Sequence, residues 1–125
     1  MSYLKRKIDI YLDNWFHDTD KKPLIIKGAR QIGKTESIRR FVSTHYDNVV
    51  EINFVESSYF KTILADGYNT NEIIKNITRI NPDIEFIENK TLIFFDEIQS
   101  YPDIVTSLKF FFSMDAMMLF VVAIY

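Results

Sequence analysis

A short stretch near the start of the chain has the residue types and spacing of a phosphate-binding loop. Residues 28–35 read Gly-Ala-Arg-Gln-Ile-Gly-Lys-Thr and fit the pattern G-x-x-x-x-G-K-S/T at every fixed position. Glycine lets the backbone approach a ligand closely. Successive backbone N–H groups ahead of a helix then form a cradle for an anion. Two of the chain's three glycines occupy the fixed positions, which favours a nucleotide site over a chance match.

Each residue type in this stretch predicts a role. Lys34 would reach the β- and γ-phosphates and serve as a catalytic cation, and the Thr35 hydroxyl would be a ligand to Mg²⁺. The predicted nucleotide-binding residues are Gly28, Ala29, Arg30, Gln31, Ile32, Gly33, Lys34, Thr35 and Glu36. The sequence therefore predicts ATP and Mg²⁺ as the bound groups.

A pair of carboxylates ends the second informative stretch. Residues 91–99 read Thr-Leu-Ile-Phe-Phe-Asp-Glu-Ile-Gln, an apolar run that delivers Asp96 and Glu97 at its end. Ligands bind at the carboxyl ends of strands in open α/β sheets, and this stretch has the form of a Walker B element. Asp96 would hold Mg²⁺ through its water shell. Glu97 would orient the water that attacks the γ-phosphate and is the predicted catalytic carboxylate.

The elements on either side of these residues predict an α/β fold. The apolar run 23–27 indicates a buried strand before the loop, and residues 49–54 indicate a second strand. After the loop, a helical spacing relates Ile38, Phe41, Val42 and His45. The sheet should be parallel, because strands alternate with helical patterns along the chain.

Four further helical segments and a last strand complete the prediction. Residues 57–64 indicate a helix that stops near Gly67, and the next helix, capped by Asn69 or Thr70, ends at Asn81-Pro82. A helix beginning at Pro102 and Asp103 precedes a final strand within 117–125. The apolar faces expected for the first, fourth and last helices comprise Leu4, Ile8, Tyr11, Leu12 and Trp15; Ile73, Ile74, Ile77 and Ile80; and Ile104, Val105, Leu108, Phe111 and Phe112.

Composition limits the functional classes. The chain has 125 residues, 47% hydrophobic and 26% charged, which fits one globular domain. A net charge of -2 and a pI near 5.6 give no support for a nucleic-acid partner. The absence of cysteine excludes disulfides, and no apolar tract is long enough to span a membrane. We therefore expect a cytoplasmic protein without a signal peptide.

Together these motifs resemble a known family. Residues 28–35, the stretch ending at Gln99, and Ser-Leu-Lys-Phe-Phe at 107–111 are similar to the AAA-type P-loop ATPases of bacteria and archaea. The resemblance implies a three-layer sandwich with helices on both faces of a parallel sheet, ATP at the strands' carboxyl ends, and often oligomers. It divides the chain into an N-terminal amphipathic helix and linker, residues 1–22, and a partial AAA-type core, residues 23–125.

The last residues depart from the pattern of that family. There, the strand after the Walker B helix ends in a small polar residue that senses the γ-phosphate, whereas residues 122–125 read Val-Ala-Ile-Tyr. The usual sheet order places this strand between the P-loop strand and the Walker B strand. The resemblance thus predicts a core that is incomplete at its C-terminal end, as in a truncated gene product. Without the fifth strand, lid and arginine finger, ATP turnover should be near background.

The sequence also bears on three other functions. A phosphotransferase would need arginines over the phosphates, and no arginine follows Arg79. A GTPase is disfavoured because the guanine-reading Asn-Lys-x-Asp is absent, since Asn89-Lys90-Thr91 is followed by Leu92. A nucleotide-binding remnant that does not hydrolyse ATP, or an interaction module, stays open as the alternative.

Overall fold

The fold is an alternation of short strands and helices. The computed structural model describes residues 7–18, 22–27, 34–110 and 120–125. Four α-helices span Lys7–His17 (α1), Lys34–His45 (α2), Thr70–Ile80 (α3) and Asp103–Phe110 (α4), and four strands span Leu24–Ile26 (β1), Asn48–Asn53 (β2), Thr91–Asp96 (β3) and Phe120–Ile124 (β4). Two short 3-10 helices, Ser58–Thr62 and Ile98–Ser100, follow β2 and β3.

All four strands lie in one parallel sheet with the order β1-β4-β3-β2. The strand β4 therefore lies between β1 and β3, as the family resemblance predicts. Ile26 is paired with Ile124, and Asn53 with Asp96, so the carboxyl ends of the strands meet at one edge of the sheet. This arrangement confirms the predicted α/β class with a parallel sheet, and it fits the P-loop NTPase fold.

Residue alternation along the central strand divides the core into two layers. Leu92 and Phe94 point to the layer that contains α1 and α2, whereas Ile93 and Phe95 point to the layer of α3 and α4. All six residues of β3 are buried. Full burial of each large apolar side chain contributes about 1.5–3 kcal/mol, so this strand is a major source of stability.

The N-terminal helix packs on α2 by the predicted face, with one residue of that face misplaced. Leu12 and Trp15 are buried, and the Trp15 indole Nε1 donates to the Lys22 carbonyl at 2.7 Å. Tyr11, predicted to lie on the buried face, is 60% exposed. Phe16 contacts Phe41 instead, with ring centroids 5.9 Å apart. The four-residue steps to Leu12 and Phe16 shift the buried stripe to the side of the helix away from Tyr11.

The segment after β2 is wound more tightly than the sequence suggests. The helix expected over 57–64 is reduced to the 3-10 helix Ser58–Thr62, and Gly67 follows with φ 116°, which favours glycine. Asn69 is the cap of α3, because its side chain accepts a hydrogen bond from the Asn71 N–H at 2.8 Å. The predicted positions Leu4, Phe111 and Phe112 lie outside the described residues.

Candidate functional site

The first turn of α2 brings a buried cation to the start of a helix. Lys34 is the first residue of α2 and is only 9% exposed. Within the described residues, no hydrogen bond or ion pair to Lys34 is found. Thr35 is half-buried and Glu36 is exposed. The other predicted loop residues, 28–33, lie outside the described part of the chain.

Asp96 lies at the carboxyl end of β3 and is 5% exposed. Its Oδ1 accepts a hydrogen bond from the Glu97 N–H at 2.8 Å. By alternation along the strand, its side chain lies on the face of Leu92 and Phe94, which is the α2 side of the sheet. Burial raises the pKa of the Asp96 carboxyl above its ordinary value, and the hydrogen bond from the Glu97 backbone opposes this shift.

Asn53, at the carboxyl end of β2, is a further polar residue of the site that the motifs do not include. It is in register with Asp96, and its Nδ2 lies 3.4 Å from Asp96 Oδ2. Its Oδ1 accepts hydrogen bonds from the N–H groups of Val55 and Glu56, both at 2.9 Å. The signal that could have found it is a polar residue ending the strand next to the acidic one. Asn53 thus links the Asp96 carboxylate to the turn after β2.

Glu97 has a left-handed backbone conformation, with φ 58° and ψ 47°. This conformation is uncommon outside glycine and clusters at functional sites. The turn is closed by a hydrogen bond from the Ser100 N–H to the Glu97 carbonyl at 3.1 Å. The half-buried Glu97 side chain accepts a hydrogen bond from the Gln99 side-chain amide.

An ion pair joins α2 to β2 on the same face of the sheet. The Arg39 guanidinium contacts both carboxylate oxygens of Glu51, with Nε–Oε1 at 3.0 Å and Nη2–Oε2 at 2.7 Å. The hydrogen bond to Glu51 raises the pKa of Arg39. Burial still leaves the pKa of Asp96 raised, and the Arg39 charge opposes this shift only as a minor cause. Because the pair is partly exposed, we expect it to contribute only about 0–1 kcal/mol to stability.

The predicted site residues fall into two groups. Asp96 and Glu97 are adjacent at the end of β3, and Lys34 and Thr35 begin α2, which packs on the face to which Asp96 belongs. In the described part of the chain, no hydrogen bond or ion pair joins one group to the other.

None of the helices in the described residues is both long and apolar enough to cross a bilayer. Over the same residues, no group of three or more His, Asp or Glu side chains gathers that could hold a metal ion.

Comparison with known proteins gives one match. The family model described as AAA domain matches residues 20–123. Searches of curated proteins and of solved structures found no significant match. The matched residues contain β1, β2 and β3 and all but the last residue of β4. The chain therefore belongs to the AAA domain family and is an AAA-type nucleotide-binding domain.

Proposed function

We propose that this domain binds ATP together with Mg²⁺ at the carboxyl edge of its sheet. The observation that carries the proposal is the burial of Lys34 at the first position of α2. A buried ammonium is costly unless it is paired, and the positive end of a helix dipole disfavours a cation still further. No described residue supplies the compensating charge. The phosphates of a nucleotide would supply it.

The residues present fit a magnesium ion. Mg²⁺ keeps several waters and takes few carboxylates, so one buried aspartate and one hydroxyl are a suitable donor set. Asp96 and Thr35 are these donors in our proposal, with Asp96 acting through water. The raised pKa of Asp96 is typical of a carboxylate at a functional site. Once bound, the ion would neutralise negative charge on the β- and γ-phosphates.

The remaining residues have roles in binding and in water activation. Lys34 would contact the β- and γ-phosphates and stabilise the charge that develops during transfer. Glu97 would accept a hydrogen bond from the attacking water and direct it toward the γ-phosphate. Asn53 would orient the Asp96 carboxylate, because it lies beside that group in the sheet register.

Lys34→Ala tests the binding half of the proposal. We expect the variant to lose detectable ATP and ADP binding in calorimetric titration, because the main counter-charge to the phosphates is removed. Its circular dichroism spectrum should match that of the wild type. Lys61→Ala, which removes an exposed lysine in the 3-10 helix after β2, is the matched control and should bind normally. Equal affinities in wild type and Lys34→Ala would contradict the assignment.

Glu97→Gln and Asp96→Asn test the catalytic half. Glu97→Gln keeps the shape of the side chain but removes the charge that polarises water, so any ATP hydrolysis should fall at least about 100-fold while ATP binding persists. Asp96→Asn should weaken only the part of binding that depends on Mg²⁺. Phosphate release and titrations with and without Mg²⁺ measure both effects. Unchanged hydrolysis in Glu97→Gln would show that another group positions the water.

The alternative function is nucleotide binding without hydrolysis. Tight Mg²⁺-dependent binding with phosphate release no faster than in the Glu97→Gln variant would select it. Such an outcome would leave the proposed roles of Lys34, Thr35 and Asp96 intact and remove that of Glu97.

A further inference from the structure

We propose that Gln99 is a positioning residue, which fixes the Glu97 carboxylate in the orientation needed to direct the attacking water. The Gln99 side-chain Nε2 donates a hydrogen bond to Glu97 Oε2. This inference rests on the proposed function and deepens it. It gives a role to the last residue of the 91–99 stretch, which the nucleotide-binding roles above do not use.

The backbone turn explains why these two side chains meet. Glu97 takes the left-handed conformation, and the 3-10 helix Ile98–Ser100 begins directly after it. Ile98 is fully buried in the α3 and α4 layer, so the residues on either side of it face outward. Glu97 and Gln99 therefore project to the same side of the turn, at the end of β3.

The same 3-10 helix is anchored at its far end. The Tyr101 ring packs on Phe54 with centroids 5.2 Å apart, and the Tyr101 hydroxyl oxygen accepts a hydrogen bond from the Leu64 N–H at 3.2 Å. The Tyr101 N–H donates to the Ile98 carbonyl at 3.0 Å. Because the turn is held at Ile98 and at Tyr101, Gln99 stands on a rigid base and can hold another side chain in place.

The chemistry of the two groups suits this role. A carboxylate has two oxygens, and a hydrogen bond to one of them fixes the plane of the group and so the direction of the other oxygen. The glutamine amide supplies an N–H donor without adding a charge, so the negative charge of Glu97 is retained for polarising water. Small errors in the placement of a catalytic group cost up to about 100-fold in rate.

Gln99→Met removes the donor at nearly constant length and is the test variant. Two ligands are titrated in the presence of Mg²⁺: ADP alone, and ADP with aluminium fluoride, which mimics the transferring phosphoryl group and its attacking water. We expect Gln99→Met to keep the affinity for ADP and to lose about ten-fold in affinity for the fluoride complex, because transition-state analogues report positioning that ground-state ligands do not. Ser100→Ala, one residue further along the same turn, is the matched control and should retain both affinities.

A double variant separates positioning from a structural effect. If Gln99 acts through Glu97, Gln99→Met should cause no further loss of fluoride-complex affinity in the Glu97→Gln background. An equal loss in both backgrounds, an equal loss for ADP alone, or no loss at all would each overturn the inference. So would a wild type that binds ADP but shows no preference for the fluoride complex. Failure of the wild type to bind ADP at all would instead refute the proposed function.

Discussion

At the scale of single residues, the proposed site lowers the stability of the ligand-free fold. Asp96 is a carboxylate that is nearly excluded from water, and among the described residues the partly exposed Arg39 is the positive charge that acts on it. Among the described residues, its hydrogen bonds come from the Glu97 backbone and, at longer range, from Asn53. A group placed in this way is costly without a ligand and becomes useful once a cation is bound.

The raised pKa of Asp96 gives a stability prediction with a definite sign. Because the folded state takes up this proton more readily than the unfolded state, the ionised carboxyl destabilises the fold at neutral pH. Asp96→Asn should therefore stabilise the ligand-free protein by about 1 kcal/mol at neutral pH. The gain should disappear as the pH falls through the raised pKa of Asp96, since the wild-type carboxyl is then neutral too.

Urea unfolding of wild type and Asp96→Asn at several pH values measures this difference. Asp83→Asn, which neutralises an exposed aspartate in the loop before β3, should show no such gain. Adding ATP with Mg²⁺ should reverse the order of stability, because only the wild type would gain the full binding energy. A stability difference that is independent of pH would mean that burial of the charge is not its cause.

At the scale of elements, the end of each segment is set by local chemistry. The α3 helix begins where the Asn69 side chain satisfies the backbone N–H of Asn71, and it ends at Asn81, before Pro82. The start of α2 is different, since the buried Lys34 occupies the turn where a helix favours negative charge. The Asn69 cap stabilises α3, whereas Lys34 at the start of α2 would stabilise the bound phosphates in our proposal.

The α3 cap predicts a measurable cost. Asn69→Ala should lower the free energy of unfolding by about 1 kcal/mol, because an N–H at the first turn of the helix loses its partner. Asn71→Ala is the matched control, since its exposed side chain lies in the same turn, and it should be neutral or slightly stabilising. Chemical denaturation of both variants compares them directly. Equal losses would show that the side-chain cap does not stabilise the helix.

The sequence predicted those elements whose side-chain period and boundary residues agree. The apolar run 91–96 gave β3, and the isoleucine stripe gave α3, which begins at the residue after its Asn69 cap. The position of β4 between β1 and β3 followed from the family resemblance. The prediction that Tyr11 is buried was wrong because this residue lies at the margin of the apolar stripe of α1. Packing against α2 decides which margin of the stripe is buried.

The candidate site was only partly predictable for a different reason. Asp96 and Glu97 stand at a strand end that the apolar run identifies. The polar end of β2 marks Asn53 in the sequence, but its pairing with Asp96 depends on the strand register. The contact of Gln99 depends on the left-handed turn at Glu97, which has no signal in a single sequence. Residues 28–33, which carry most of the predicted nucleotide contacts, lie outside the described residues, so their roles remain predictions.

At the scale of the whole molecule, the edge strand β1 is of particular interest. In the described part of the chain, β1 pairs with β4 on one side and with no strand on the other. Its residues are apolar and partly to fully buried on the faces of the sheet. An apolar edge strand of this kind offers backbone groups for pairing with another chain.

We therefore expect the protein to self-associate as its concentration rises. Sedimentation velocity over a range of concentrations should show species larger than the monomer. Ile25→Lys places a charge on this edge strand and should shift the equilibrium toward monomer, whereas the same change at the exposed Val55 should not. Monomeric behaviour at every concentration would indicate that the β1 edge is covered in solution.

The burial of β3 has a consequence for motion. Every residue of β3 is shielded from water, and hydrogen bonds from parallel neighbours flank it on both sides, so its amides should exchange with deuterium only when the whole domain unfolds. The turn that begins at Glu97 has no strand partner, so its amides should exchange faster, through local opening. The boundary between slow and fast exchange thus falls between two consecutive carboxylates. Asp96 is held by the core of the sheet, whereas Glu97 is held by the turn that Ile98 and Tyr101 anchor.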